Sequence, residues 1–287
     1  MLTVIIGISS ALVLGAADFL GGLAAKRMNP ILVTAIAALA GLVPLSIMLP
    51  FVVGQWSPEA VLYGALSGIA GATAFGLLYS CLAIGPMSIL SPLTAVVSAI
   101  VPLTVGVVGG ERLGTIGYVA LALALVAIVL VGFVPERNAV RPSLKGVLMA
   151  IGSGIALGAF LILIDLTPDN SGLVPLVVNR ATNATIMFTI VGILALTVWR
   201  RSKSAGAGDW RSGLRLAIAC GVVDAIANTG LLLGVRLGEL SVMAVLAALY
   251  PAGTILLAAI VLRERIAWLQ YVGLALAIAA GAMLALA

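Results

Sequence analysis

Two short stretches of this chain carry polar groups where lipid-like sequence surrounds them. In GVVDAIANTG, residues 221–230, Gly221, Asp224 and Asn228 recur at i, i+3 and i+7 and so share one helix face. In VVNRATNAT, residues 177–185, Asn179 and Asn183 are i, i+4 neighbours with Arg180 beside them. A carboxylate can hold a cation or a proton, and a guanidinium can hold an anion. A central Asp in a membrane helix costs roughly 2.5–3.5 kcal/mol, so Asp224 needs a partner or a task. An Arg side chain reaches about 6–7 Å and can bend toward such a partner. Two readings are open. The polar set lines a water-filled cavity, with Arg180 for an anionic group and Asp224 for a cationic group or a proton. Alternatively it is a buried structural ion pair with amide bonding between helices. Asp18 is a third charged candidate, either a gating or coupling carboxylate or an interfacial Asp satisfied by Lys26 or Arg27. Asp165 reads as interfacial. Glu111 and Glu264, each beside an Arg, read as caps, loop-ordering groups or contacts between halves.

Several chemistries are excluded by what the sequence lacks. Histidine is absent, which removes His-based acid–base catalysis, Ser–His and Cys–His pairs, and His metal sites. Gly152-Ser153-Gly154 superficially resembles a nucleophile motif but has no base. Asp18 and Asp224 share no paired motif, and no Gly-Lys phosphate loop occurs. Cys81 and Cys220 lack CxxC spacing and read as inert core residues. Neither a cofactor nor a metal is expected, and an enzyme is disfavoured. A channel is disfavoured too, since no repeated filter or charged ring occurs.

The elements that must position these residues are membrane helices. Of 287 residues, 63% are hydrophobic and 9% charged, against about 25% charged in a soluble domain. Spans of about 20 apolar residues fit ten segments: Leu2–Ala24, Pro30–Val53, Ala60–Ala83, Ile89–Val108, Thr115–Val134, Leu144–Ile164, Leu173–Trp199, Gly213–Val235, Val242–Val261 and Ala267–Leu286. The first lacks a positive n-region and reads as a span, not a cleaved leader. Short connections suggest that successive helices pack side by side. The net charge of +5 is spread over loops, so nucleic acid is not a partner. Twelve basic residues fall in odd-numbered loops and two, Arg112 and Arg236, in even-numbered ones. The positive-inside rule then places the odd loops in the cytoplasm and both termini outside.

The chain reads as two copies of one pattern. Gly68, Gly85, Ser88, Glu111 and Tyr118 align with Gly221, Gly238, Ser241, Glu264 and Tyr271 at a constant offset of 153. This divides it into 1–137 and 138–287. Five spans per copy is odd, so the second copy enters the membrane inverted, a recurrent design of secondary transporters. With Gly110-Glu111-Arg112-Leu113 after the fourth span, Arg263-Glu264-Arg265-Ile266 after the ninth, and Ala17-Asp18-Phe19-Leu20-Gly21-Gly22 in the first, the chain resembles the EamA type of the drug/metabolite transporter superfamily. The resemblance implies export or exchange of small metabolites, often amino acids, across the bacterial inner membrane. It also implies cytoplasmic termini, against the charge count, which we follow. Where many relatives have Trp-Gly, this chain has Leu14-Gly15 and Leu157-Gly158, so an aromatic wall is expected to be missing.

Gly64-x-x-x-Gly68 and Gly154-x-x-x-Gly158 predict close helix approach. Pro44, Pro92, Pro102 and Pro251 predict kinks, with Pro92, Pro102 and Pro251 in the repeat-related fourth and ninth helices. The expectation is an all-α membrane transporter of two inverted five-helix repeats, working by alternating access. A proton or counter-substrate gradient would drive it, because no nucleotide motif exists. Asp224, Asn228, Arg180, Asn183, Asn179 and Asp18 are the expected substrate or coupling contacts. A lipid or lipid-carrier flippase, or a non-catalytic membrane subunit, is the alternative.

Overall fold

The computed structural model describes residues 2–25, 27–84, 87–111, 114–132, 143–198, 210–261 and 267–286. Lys26, Gly85, Arg112, Leu113, Arg137, Arg141, Arg200, Arg201, Lys203, Arg263, Glu264, Arg265 and Ile266 lie outside the described residues. Part of the charge count, the repeat and the Glu-Arg motifs rest on them.

The described residues form α-helices and two 3-10 turns. The helices are α1 Leu2–Ala25, α2 Pro30–Met48, α3 Pro58–Ile84, α4 Met87–Val108, α5 Thr115–Gly132, α6 Leu144–Asp165, α7 Val174–Val198, α8 Trp210–Leu237, α9 Leu240–Ala247, α10 Tyr250–Val261 and α11 Trp268–Leu286. Long apolar runs become helices because a helix satisfies its own backbone where water is absent. Local signals fix the starts. The Asn29 side chain accepts from the Ile31 N–H with Pro30 at the first helical position. The Ser143 hydroxyl accepts from Gly146 in the same way. Seven helical stretches are long and apolar enough to cross a membrane, and three shorter apolar helices accompany them.

The ninth expected span is not one helix. It stops at Ala247 and restarts at Tyr250. Pro251 has no N–H for the Ala247 carbonyl, and its ring disfavours helical backbone at Tyr250. The chain turns instead through tighter bonds, Leu249 N–H to Leu246 O at 3.1 Å and Ala252 N–H to Leu249 O at 2.9 Å. The related α4 is continuous through Pro92 and Pro102, and α2 through Pro44. Pro251 stands opposite Ser98 at the offset of 153, and Ser98 keeps its N–H. Pro251 thus marks a break in its helix, while α4 continues through both of its prolines.

Successive helices are not the main packing partners. The extensive contacts join α1 with α8, α3 with α6, α5 with α11, α4 with α6, α2 with α8, α3 with α7, α2 with α7, α1 with α10 and α4 with α9. A short loop fixes only where two helix ends meet, while small residues decide which faces close. A Cβ on Gly64 would meet the Pro175 carbonyl at 2.8 Å, and one on Gly154 the Thr94 carbonyl at 2.8 Å, so both Gly-x-x-x-Gly faces are cross-half contacts. Buried hydroxyls stitch the same seams: Ser153 donates to Ala74 O at 2.8 Å and Thr94 to Ala150 O at 3.1 Å. The largest apolar cluster likewise draws Ala95, Leu121 and Ile128 from the first half and Val245, Leu246 and Ala280 from the second. Under the correspondence α1 to α6, α2 to α7, α3 to α8, α4 to α9–α10 and α5 to α11, these pairings map onto one another.

Glu111 is an inter-half cap. Gly110 adopts φ 106°, which turns the chain after α4. The Glu111 carboxylate then accepts from the Leu240 N–H at 2.8 Å and the Ser241 N–H at 3.1 Å, at the N-terminus of α9. A carboxylate there satisfies orphan donors and the helix dipole together.

Candidate functional site

The polar residues of α7 and α8 meet in the interior. Asp224 and Arg180 form an ion pair, with side chains 11% and 8% exposed. α7 and α8 are not a closely packed pair; α2 packs against both. Arg180 thus reaches across a gap to Asp224 instead of along a helix seam. The Asn228 amide donates to Asp224 Oδ1 at 3.1 Å and to the Asp224 carbonyl at 2.8 Å, which holds the carboxylate from its own helix. Asn179 turns the other way and donates to the Ser67 hydroxyl on α3 at 2.8 Å. Two buried polar atoms are left over: Arg180 Nε and Asn183 Oδ1 have no hydrogen-bond partner. Each such orphan costs about 1–3 kcal/mol unless something else meets it.

The two residues that carry these atoms line a cavity. A space of about 90 Å³ is lined by all six expected contacts, Asp18, Asn179, Arg180, Asn183, Asp224 and Asn228. A second space of about 30 Å³ is lined by Ala17, Val33, Thr34, Ala37, Ala38 and Cys220, together with Asp18, Phe75, Arg180, Asn183 and Asp224. The last five residues line both spaces. They form a charged partition, with the larger space toward the end where α1 begins and the smaller toward the end where α2 begins. Each is large enough for water, which needs about 10–15 Å³. Asp18 belongs to this partition; of its two expected interfacial partners, Arg27 donates to the Ser212 hydroxyl and Lys26 lies outside the described residues. Beyond the partition the backbones close: a Cβ on Gly221 would run into the Ala37 carbonyl.

Sequence reasoning missed much of the apolar lining. Leu14 and Leu157, at the expected Trp positions, both face the cavity, and Phe75, Phe160 and Tyr250 supply the aromatic surface. The repeat offset held the signal. Shifted by 153, Asp224, Asn228 and Leu231 fall on Gly71, Phe75 and Leu78, and all six line the cavity. Leu14 and Asp18 answer Leu157 and Leu161 at an offset of 143, and these also line it. Cys220, expected to be inert core, lies in the wall of the smaller space. Among the described residues no group of three His, Cys, Asp or Glu could hold a metal ion.

No curated protein matches the sequence. A solved structure, titled only as a crystal structure of a protein, superposes with a TM-score of 0.74 at 17% identity, covering 99% of this chain and 98% of that one. At that identity the likeness concerns the fold. The model of the EamA-like transporter family matches residues 1–133 and again 144–286. With its apolar helices, its cross-half packing and two family matches that together span nearly its whole length, this chain belongs to the EamA-like transporter family.

Proposed function

We propose that the chain is a secondary transporter of the bacterial inner membrane that exports or exchanges a small amino-acid-like or amine-like metabolite. The observation that carries this is the charged partition of Asp18, Phe75, Arg180, Asn183 and Asp224 between two internal spaces. Alternating access needs one site reachable from either side in turn. A partition with a space on each side, each large enough for water, fits that need.

The halves 1–137 and 138–287 act as two inverted repeats in this reading. Packing pairs that map onto one another, and five expected spans per half, support it. Arg180 holds an anionic group through donors its pairing with Asp224 leaves free. Asp224 takes a cationic group or a proton, and Asn228, Asn183 and Asn179 orient the solute. Asp18 is the second carboxylate near one guanidinium, so the cluster carries one negative charge in excess when all three are ionised. A proton or a cationic group balances it, which links solute binding to a proton or counter-substrate gradient.

A thermal-shift screen on the purified protein tests the reading, using amino acids, amines, organic acids, sugars and phospholipids with wild type and the double variant Arg180→Met, Asp224→Leu in parallel. The expected result is a soluble class that stabilises wild type and not the variant. Hits confined to phospholipids would favour a flippase. Equal shifts in both proteins would remove Asp224 from the binding site.

A further inference from the structure

A second concave feature lies away from the partition, on the outside of the bundle. It is a groove of about 380 Å³ between α2 and α8, lined by Pro44, Leu45, Met48, Ile226, Leu232 and Leu233 among others. Its one charged lining residue is Arg236, in the last turn of α8. The groove follows α8 from Ala225 to Arg236. Eleven residues of rise at 1.5 Å make it roughly 16 Å long, parallel to the helix axis. Met48, Ile226 and Leu233 are exposed along it, so this face meets lipid. The Thr229 hydroxyl is already spent on the Ala225 carbonyl at 2.8 Å, leaving the floor without a free donor.

Polarity is confined to one end. Arg236 donates through Nη2 to the Ser171 hydroxyl at 2.8 Å, and its Nε is buried with no partner. Asp169, exposed on the 3-10 turn Asp169–Ser171, is its acidic neighbour and interacts with it electrostatically. Arg236 also donates through Nη2 to the Pro168 carbonyl at 3.4 Å, so the turn it holds at Pro168 and Ser171 brings the exposed Asp169 to the same end, where a membrane helix ends and an apolar trough begins.

We infer that this groove is a binding site for one phospholipid with a zwitterionic, primary-amine headgroup, phosphatidylethanolamine. One acyl chain lies in the trough along α8. The phosphate accepts from Arg236, as anionic oxygens do from guanidinium donors. The ammonium donates to Asp169. An anionic headgroup would satisfy Arg236 but be repelled by Asp169. A choline headgroup has the charge for Asp169 but no N–H to donate. The site is separate from the partition and does not depend on the transport reading.

Native mass spectrometry of the full chain, released from detergent with equal amounts of dioleoyl phosphatidylethanolamine, phosphatidylcholine or phosphatidylglycerol, reads the site. Wild type is expected to retain one phosphatidylethanolamine with roughly tenfold preference over the others, the equivalent of one charge-assisted contact. Asp169→Asn, at an exposed position, should lose the preference over phosphatidylglycerol while staying folded. Arg236→Gln should lose retention of all three. Because Arg236 also ties down the 3-10 turn, Leu233→Trp provides a second route: it fills the trough, leaves the guanidinium in place, and should also abolish retention. Equal retention of all three lipids by wild type would overturn the proposal. So would unchanged selectivity in Asp169→Asn, or unchanged retention in Leu233→Trp.

Discussion

Arg180 and Asp224 are ion-paired across a gap between two helices that do not pack closely on each other, and the pair stands in the wall of two internal spaces. An ion pair between closely packed helices serves as glue. One that crosses a gap can also part when something enters it. The unpartnered Nε of Arg180 shows that its donors are not used up by Asp224.

Removing one partner leaves the other buried and unpaired. Arg180→Gln and Asp224→Asn are each expected to destabilise the protein by about 3–5 kcal/mol and to abolish transport. The double variant Arg180→Met, Asp224→Leu should recover abundance, because two apolar side chains leave no orphan charge. It should not recover transport. Membrane abundance by immunoblot and uptake into vesicles separate the two effects. Full transport by the double variant would leave the pair a purely structural role.

The seam between α2 and α8 should be intolerant of any added carbon. Gly221→Ala drives a Cβ into the Ala37 backbone carbonyl, which cannot swing aside, whereas a Cβ on Gly22 meets nothing within 4 Å. Overpacking of this kind costs about 1–3 kcal/mol. Thermal unfolding in detergent should show a clear loss for Gly221→Ala and none for Gly22→Ala.

The Glu111 cap carries a pH signature through its neighbour. Glu239 lies between α8 and α9, outside both helices, and its carboxyl is held above its ordinary value of 4.5, first by partial burial and then by the Glu111 charge and a hydrogen bond to Glu111. A raised folded-state value means that the folded protein holds this proton more tightly than the unfolded chain. Stability is therefore highest below pH 4.5 as far as this group is concerned. It falls as pH rises through the raised value and is then level. Glu239→Gln should raise the melting temperature at pH 7 and leave it unchanged at pH 4. Equal shifts at the two pH values would remove the electrostatic cause.

The charge count makes a topological prediction. With twelve basic residues in odd-numbered loops and two in even-numbered ones, both termini are expected to face away from the cytoplasm. Alkaline phosphatase fused after Ala287 should be active in cells, and a green fluorescent protein in its place should be dark. The reverse pattern would put the basic loops outside.

The helices were legible because lipid demands long apolar runs. Asp224 and Arg180 were legible as partners because each is too costly to stand alone in a membrane. The break at Pro251 was not, since Pro44 and Pro102 sit in helices that continue through them. Helix pairing was not legible either, because loop length says nothing about which glycine face meets which. Gly71, Phe75 and Leu78 carry no chemistry of their own. Only their register with Asp224, Asn228 and Leu231 marks them. The groove ending at Arg236 depends on how α2 and α8 diverge, which neither segment encodes by itself.

The interruption between α9 and α10 has a consequence for direction. A carrier assembled from two identical inverted halves would pass between conformations related by a two-fold rotation and equal in free energy, with the same turnover from each face. Here one half holds an unbroken rod and the other a jointed one. The two cannot exchange places without a change in energy. In the proposed transport cycle the resting population is then tilted toward one face, and half-saturating solute concentrations measured on the two faces are expected to differ. The break at Pro251 is thus one source of kinetic inequality between the two faces of the proposed carrier.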